Sequence, residues 1–262
     1  MIKVHNLAKV FGTKRAVDGI SFSVDRGEVL GFLGPNGAGK STLVKVLARF
    51  LHPQTGKVEY EGGDVHQASE AELAKRRAVL SQAIDIAFPL TVREVVMMGR
   101  YPHFGGRPGP IDQRIVDEVM ERMDVTEFSD RHYQTLSGGE RQRVNFARVL
   151  AQLWSEDQSN GSKSCRYLFL DEPLTFLDIR HQIDFMRKIK AFTARGDVVT
   201  IGVVHDLNLA AQFADHIVLL NGGKVVANGT ASEVLTTERI EEVFGVTPTF
   251  IRQDSRVHMV FD

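Results

Sequence analysis

The sequence predicts an α/β fold in which a helical subdomain interrupts a sheet domain. Three observations lead to it. Apolar runs suited to buried strands fill the first forty residues, and they return from Tyr167 onward, alternating with helical patterns. Between them, roughly over 86–153, apolar residues recur at helical spacing. Strand–helix alternation around a helical insert is the mark of a layered α/β domain with an added helical lobe. The chain has 262 residues, 43% apolar and 25% charged, which suffices for a core without staples and excludes disorder, collagen-like repeats and a disulfide scaffold.

The elements follow in order. Val24, Val29, Leu30, Phe32 and Leu33 suit pleated, buried strands, with a turn at Arg26-Gly27. Leu43, Val46, Leu47 and Phe50 fall on one face of a helix that begins near Ser41 and ends at His52-Pro53. In the middle third the loop from Tyr101 to Pro110 breaks the helical pattern, and Ile115, Val116, Val119 and Met123 resume it. A further helix runs from about Gly139 to Trp154, and the polar stretch Ser155 to Ser164 reads as a solvated loop. Tyr167 to Leu170, Val198 to Val204 and Ile217 to Leu220 are near-continuous apolar runs, as in strands covered on both faces. Asn221-Gly222-Gly223-Lys224 is a turn, and Val246 to Asp262 has room for one more paired strand.

The global properties are quiet. Lys and Arg total 32 against 33 Asp and Glu, so nothing points to nucleic acid or an anionic membrane as partner. The single cysteine, Cys165, cannot form an intramolecular disulfide and fits a reducing compartment. No stretch approaches the ~18 apolar residues of a membrane span. Met1-Ile2-Lys3-Val4-His5 lacks a signal peptide's apolar core. A soluble intracellular protein is expected.

Four motifs carry chemistry. Gly34-Pro35-Asn36-Gly37-Ala38-Gly39-Lys40-Ser41 matches G-x-x-x-x-G-K-[ST], between an apolar strand and an amphipathic helix. Its glycines let several backbone N–H groups face one phosphate, and the helix start adds a positive dipole end. Lys40 would reach the β- and γ-phosphates and Ser41 would hold Mg²⁺. Leu168-Phe169-Leu170-Asp171-Glu172-Pro173 ends an apolar strand in two carboxylates: Asp171 for Mg²⁺, Glu172 to orient or deprotonate water. His205 follows the run Val198 to Val204, on what should be the nucleotide edge. Leu136-Ser137-Gly138-Gly139-Glu140 precedes the second long helix and is a further anion-binding helix start. Two phosphate-gripping motifs in one chain suggest either two sites or one site shared between two chains.

Over nearly its whole length this set of motifs, in this order, resembles the ATP-binding-cassette (ABC) ATPases. The resemblance implies a P-loop, RecA-like core with an N-terminal antiparallel β subdomain and an inserted α-helical signature subdomain. On that plan, residues 1–85 and 165–262 form the nucleotide-binding core with its β subdomain, and about 86–164 the helical subdomain, in one ABC ATPase domain. ATP and Mg²⁺ are the implied ligands. Phe11 matches the aromatic residue that stacks on adenine, and Thr42 completes the phosphate loop. Gln82 matches the glutamine that senses Mg²⁺ and the transport subunit. Ser137, Gly138, Gly139 and Glu140 match the signature. Asp171, Glu172 and His205 match the metal ligand, the catalytic base and the switch histidine. Thr175-Phe176-Leu177-Asp178 fills the D-loop, where the family usually has Ser-Ala-Leu-Asp, and Asp178 stays in place. A head-to-tail homodimer is implied, each signature closing on ATP held by the other chain. So are two copies of a polytopic permease that hold the ATPase peripherally on the cytoplasmic face of the inner membrane, and a separate substrate-binding protein.

The segment Ala87 to His103 resembles importers of haem, ferric siderophores and cobalamin, where it meets the permease. Phe88, Leu90, Met97, Met98 and Tyr101 could supply that contact. Ala147 to Trp154 with the polar insert after it, and Gln82 to Pro89, look like haem-importer ATPases. Thr175 to Gln182 is common in siderophore importers. Haem is the expected substrate of the transporter. Direct haem binding by this chain is not expected, because its nine histidines include no haem-attachment spacing. A soluble non-transport ABC ATPase would usually carry two cassettes or a long coiled coil, and neither is visible. An unrelated P-loop kinase would leave Ser137 to Glu140 and His205 unexplained.

Overall fold

The computed structural model describes residues 1–81, 86, 88–154, 164–175, 177–253 and 256–261. The chain opens with a long hairpin, β1 (Ile2–Phe11) and β2 (Lys14–Val24), whose inward positions Ile2, Val4, Leu7 and Val17 are buried. β3 (Val29–Leu33) is buried at every residue and leads into α1 (Lys40–Leu47). β4 (Thr55–Tyr60) and β5 (Gly63–Asp64) return to the first hairpin and give a four-stranded antiparallel sheet in the order β2-β1-β4-β5. α2 (Glu70–Arg76), capped by Ser69, and β6 (Arg77–Leu80) follow.

Helices then dominate: α3 (Val92–Met98), α4 (Pro110–Arg122) and α5 (Gly138–Leu153). Each start is written in the sequence. Thr91 and Ser137 close capping boxes with Glu94 and Glu140, and Pro110 sits at the first turn of α4, where its missing N–H costs nothing. The end of α5 is finished from outside. Arg100 donates to the carbonyls of Ala151 at 2.7 Å and Trp154 at 3.0 Å, and His103 Nε2 lies 2.7 Å from Gln152 O. The last carbonyls of a helix have no partner within it, so these side chains lock the 101–103 turn to α5.

Strand–helix alternation resumes with β7 (Arg166–Asp171), α6 (Ile179–Thr193), β8 (Val198–Val203), α7 (Leu207–Phe213), β9 (His216–Asn221) and β10 (Lys224–Gly229). The larger sheet has the order β10-β9-β3-β8-β7-β6. All its pairings are parallel except β9–β10, a hairpin turned at Gly222-Gly223. α8 (Ala231–Val234) and α9 (Thr237–Phe244) lead to β11 (Pro248–Gln253) and β12 (Arg256–Phe261). These last strands pair with each other and form a sheet of their own. The C-terminal stretch therefore makes a separate hairpin instead of extending an existing sheet edge.

One apolar cluster lies between the two sheets and joins Ile2, Leu7 and Val58 to Phe32, Leu43 and Tyr167. A second joins α3, α4 and α5 to β6, β7 and α6, with Phe146 and Phe185 in ring contact at 4.5 Å. Where α5 meets the sheet, Arg166 is buried between the carbonyl of Leu153 and the carboxylate of Asp197. Removing one partner of such a buried pair strands the other charge. Asp197→Ala should lower stability by about 3–5 kcal/mol, read from the midpoint of urea unfolding. A loss within a few tenths of a kcal/mol would show that the pair is dispensable.

Candidate nucleotide site

Parallel pairing builds the site. Phe32 of β3 and Asp171 of β7 both pair with Val203 of β8. The C-terminal ends of three adjacent central strands therefore lie at one edge, where ligands bind in open α/β sheets. The phosphate loop leaves β3, Glu172 follows β7, and His205 follows β8 by two residues.

The loop needs its glycines for steric reasons. Gly34 has φ +145°, and a Cβ there would stand 2.1 Å from Leu220 O. Gly39 has φ +99°, and its Cβ would stand 2.1 Å from Ala16 O. L-residues avoid this region, and no side chain fits the space. No side chain caps α1, so its first-turn amides are left for an anion. Lys40 is buried and donates to the carbonyls of Gly34 at 2.7 Å and Pro35 at 3.0 Å. Burial pushes its pKa down, while the carboxylates of Glu172 and Asp171 act in the opposite sense. A cation whose hydrogen bonds among the described residues go to neutral carbonyls is poised to move to a phosphate.

A cavity of about 250 Å³ is lined by Phe11, Asn36, Gly37, Gly39, Lys40, Ser41, Thr42 and Glu172, together with Lys14 and Ala16. Pro35 and Ala38 complete the loop's turn, the Ala38 N–H donating to Pro35 O at 3.2 Å. The Phe11 ring is 49% exposed, with the Lys9 ammonium 5.3 Å from its centre. Such a ring face is open to an aromatic base. No sequence motif marks Lys14 for the site, although it sits three residues after Phe11 across the tip of the β1–β2 hairpin. Only the fold carries this second cation to the phosphate loop.

Glu172 Oε1 lies 2.9 Å from His205 Nε2. Glu172 lines both the phosphate cavity and a neighbouring cavity that holds His205, so one carboxylate bridges the two. Its φ of +55° is left-handed, a conformation worth about 1–3 kcal/mol of strain for a non-glycine residue. Thr175 Oγ1 donates to Glu172 O at 3.1 Å, and buried Gln142 of α5 donates to Pro173 O at 2.7 Å. Both bonds hold the turn that aims Glu172. Asp171 Oδ1 is buried with no hydrogen-bond partner among the described residues.

The second anion-binding motif lies apart. Ser137, Gly138, Gly139 and Glu140 line another cavity, of about 480 Å³, with Arg143, Leu177, Asp178 and His181. It shares no lining residue with the phosphate cavity. Ser137 N–H donates to Glu140 Oε2 at 2.7 Å, and bonds from Ser137 hold the Glu140 carboxyl below its usual pKa. Asp178 caps α6 by accepting from His181 N–H at 2.9 Å, and its pKa is lowered chiefly by that backbone bond. No sequence motif marks Arg143 or His181 for the site; they lie near the starts of α5 and α6, which only the fold brings together. Gln82 and Phe176 fall outside the described residues.

A family model described as ABC transporter matches residues 17–175. The chain belongs to the ABC transporter family. It is an ATPase of that family, with the P-loop fold. A hemin import ATP-binding protein, HmuV, of Bradyrhizobium diazoefficiens is 42% identical over 246 residues, 94% of this chain and 89% of that protein. The protein of the same name from Escherichia coli O157:H7 is 40% identical over 252 residues, covering 96% and 95%. Among solved structures, a metal-chelate type ABC transporter in an inward-facing conformation matches with a TM-score of 0.82 at 23% identity, covering all of this chain and 96% of that one. A dimeric bacterial ABC transporter cassette matches with a TM-score of 0.74 at 25% identity, covering 88% and 99%.

Lys40→Ala should weaken ATP binding roughly tenfold to a hundredfold, the worth of a hydrogen bond to a charged group. Equilibrium binding of a fluorescent ATP analogue measures this. Unchanged affinity would place the phosphates elsewhere.

Proposed function

We propose that this chain is the ATP-hydrolysing subunit of an importer that takes up haem through a membrane permease. The chemistry rests on the Glu172–His205 contact at 2.9 Å, made by a carboxylate that also faces the phosphate cavity. The adenine stacks on Phe11. Backbone N–H groups of the loop from Gly34 to Thr42 receive the β- and γ-phosphates, and Lys40 exchanges its carbonyl partners for them. Glu172 accepts the proton of the attacking water. His205, hydrogen-bonded to Glu172, keeps that carboxylate aimed at the γ-phosphate.

Ser41 and Asp171 are suited to Mg²⁺. A hydroxyl and a carboxylate are hard oxygen donors, and the buried, unpartnered Asp171 Oδ1 gains a partner when a cation or its water stands there. Ser41 and Asp171 would hold the ion together with oxygens of the bound phosphates, with Gln82 assigned beside them by resemblance. When bound, Mg²⁺ neutralises charge that builds on the phosphates.

The separate signature cavity is read as the other half of a shared site. A second copy, placed head to tail, would bring its Ser137 to Glu140 and Asp178 onto the nucleotide held here, and the same contact would repeat about a two-fold axis. The dimeric cassette among the structural relatives supports this. Among the described residues no helix is long and apolar enough to cross a membrane. The chain is placed on the cytoplasmic face of the inner membrane by two copies of a permease, fed by a separate binding protein. Phe88, 72% exposed, and Tyr101, 59% exposed, offer the apolar contact. The named relatives, similar along almost the whole chain, support haem as cargo.

Glu172→Gln should retain ATP binding and cut hydrolysis by at least about a hundredfold, trapping an ATP-bound dimer visible by light scattering. Wild-type turnover would remove Glu172 from the role of base. A deletion strain should lose growth on haem as sole iron source, regained with the wild-type gene but not with the Glu172→Gln variant. Loss confined to a ferric siderophore would keep the mechanism and change the cargo.

A further inference from the structure

The C-terminal hairpin reaches the catalytic edge through one side chain. Asn208 lies in α7, three residues after His205. Its Nδ2 donates to Met259 O at 3.0 Å, and its Oδ1 accepts from Met259 N–H at 2.7 Å. The side-chain amide thus pairs with β12 as a neighbouring strand would, satisfying both backbone groups of a buried residue. Among the described residues these are the only hydrogen bonds from the hairpin strands to the rest of the chain. Packing does not replace them on one flank. There a cavity of about 620 Å³ opens between Arg187, Gln212 and Phe213 on one side and Phe250 and His258 on the other.

The clasp leads back to the site. Met259 is buried in the same apolar cluster as Leu33, Val204 and Leu207. Leu33 is the last residue before the phosphate loop, and Val204 precedes His205. Asp206, next to His205, caps α7 by accepting from the N–H groups of Asn208 at 2.8 Å and Leu209 at 2.9 Å. α7 has only seven residues. A helix that short has little stability of its own, so tertiary anchors set its direction. Asn208 is such an anchor through both its main chain and its side chain.

We propose that Asn208 is a positioning residue for ATP hydrolysis. By fastening α7 to β12 it holds His205 against Glu172, and the C-terminal hairpin is thereby a working part of the hydrolytic apparatus. This rests on the role proposed above for His205. The geometric tolerance is small: misplacing a reacting group by about 1 Å can cost a hundredfold in rate.

The test is steady-state ATP hydrolysis by the purified full chain, with nucleotide bound per chain measured on the same samples. Asn208→Ala should lower kcat about tenfold, leaving KM for ATP and the bound nucleotide unchanged. In a His205→Ala background the same substitution should have no further effect, because residues acting through one another are non-additive. An unchanged kcat in Asn208→Ala overturns the inference. So does bound nucleotide falling in step with kcat, which reports lost folded protein, or an undiminished further drop in the His205→Ala background. If His205→Ala itself leaves kcat intact, the reading of His205 fails and the inference falls with it. If only Asn208→Ala is silent, that reading stands.

Discussion

Hydrogen bonding among β3, β8 and β7 sets Phe32 and Asp171 opposite the same residue, Val203, and the chemistry hangs from that register. Parallel strands in register end together, so the three loops that leave them share one edge. A slip of one residue in β7 would turn Asp171 and Glu172 to opposite faces, because side chains alternate with period two. The register is secured from both sides. β3 and β8 are buried at every position, and five of the six residues of β7 are too.

Local strain accompanies that arrangement. The phosphate loop runs through left-handed glycines packed against the carbonyls of Leu220 and Ala16. Glu172 itself sits at positive φ. Its turn is braced by Thr175 from within and by Gln142 from the signature helix. One hydrogen bond therefore ties α5 to the turn that carries the carboxylate. The hairpin clasp at Asn208 braces the facing side of the pair, so Glu172 and His205 are each held by an element remote in sequence.

The separation of the two anion-binding motifs has the same origin. The phosphate loop stands at the start of α1 and the signature at the start of α5, and the fold gives each its own cavity. Each cavity carries a helix start and basic side chains, Lys14 and Lys40 in one and Arg143 in the other, beside carboxylates: Glu172 in the first, Glu140 and Asp178 in the second. Two helix starts that no single nucleotide can reach together within one chain are what the proposed head-to-tail pairing with a second copy would unite.

Much was legible in the sequence alone. Apolar runs marked the central strands because strands buried on both faces cannot tolerate polar positions. Ser137 and the glycines after it marked the start of α5, because the orphaned N–H groups of a helix start demand acceptors nearby in sequence; the Thr91 cap that starts α3 emerged only with the structure. Glycine, lysine and carboxylate spacing marked the phosphate loop and Glu172, whose chemistry is local. What lay hidden depends on contacts between distant segments. Lys14 joins the phosphate cavity only when the first hairpin folds over α1. Arg143 and His181 meet only when α5 and α6 stand side by side. The last residues became a hairpin of their own, clasped by Asn208, because Met259 finds its apolar partners around α7 and beyond. Residue type and short-range spacing determined which chemistry the chain carries. Strand register and helix packing, which act across the whole chain length, decided where that chemistry converges.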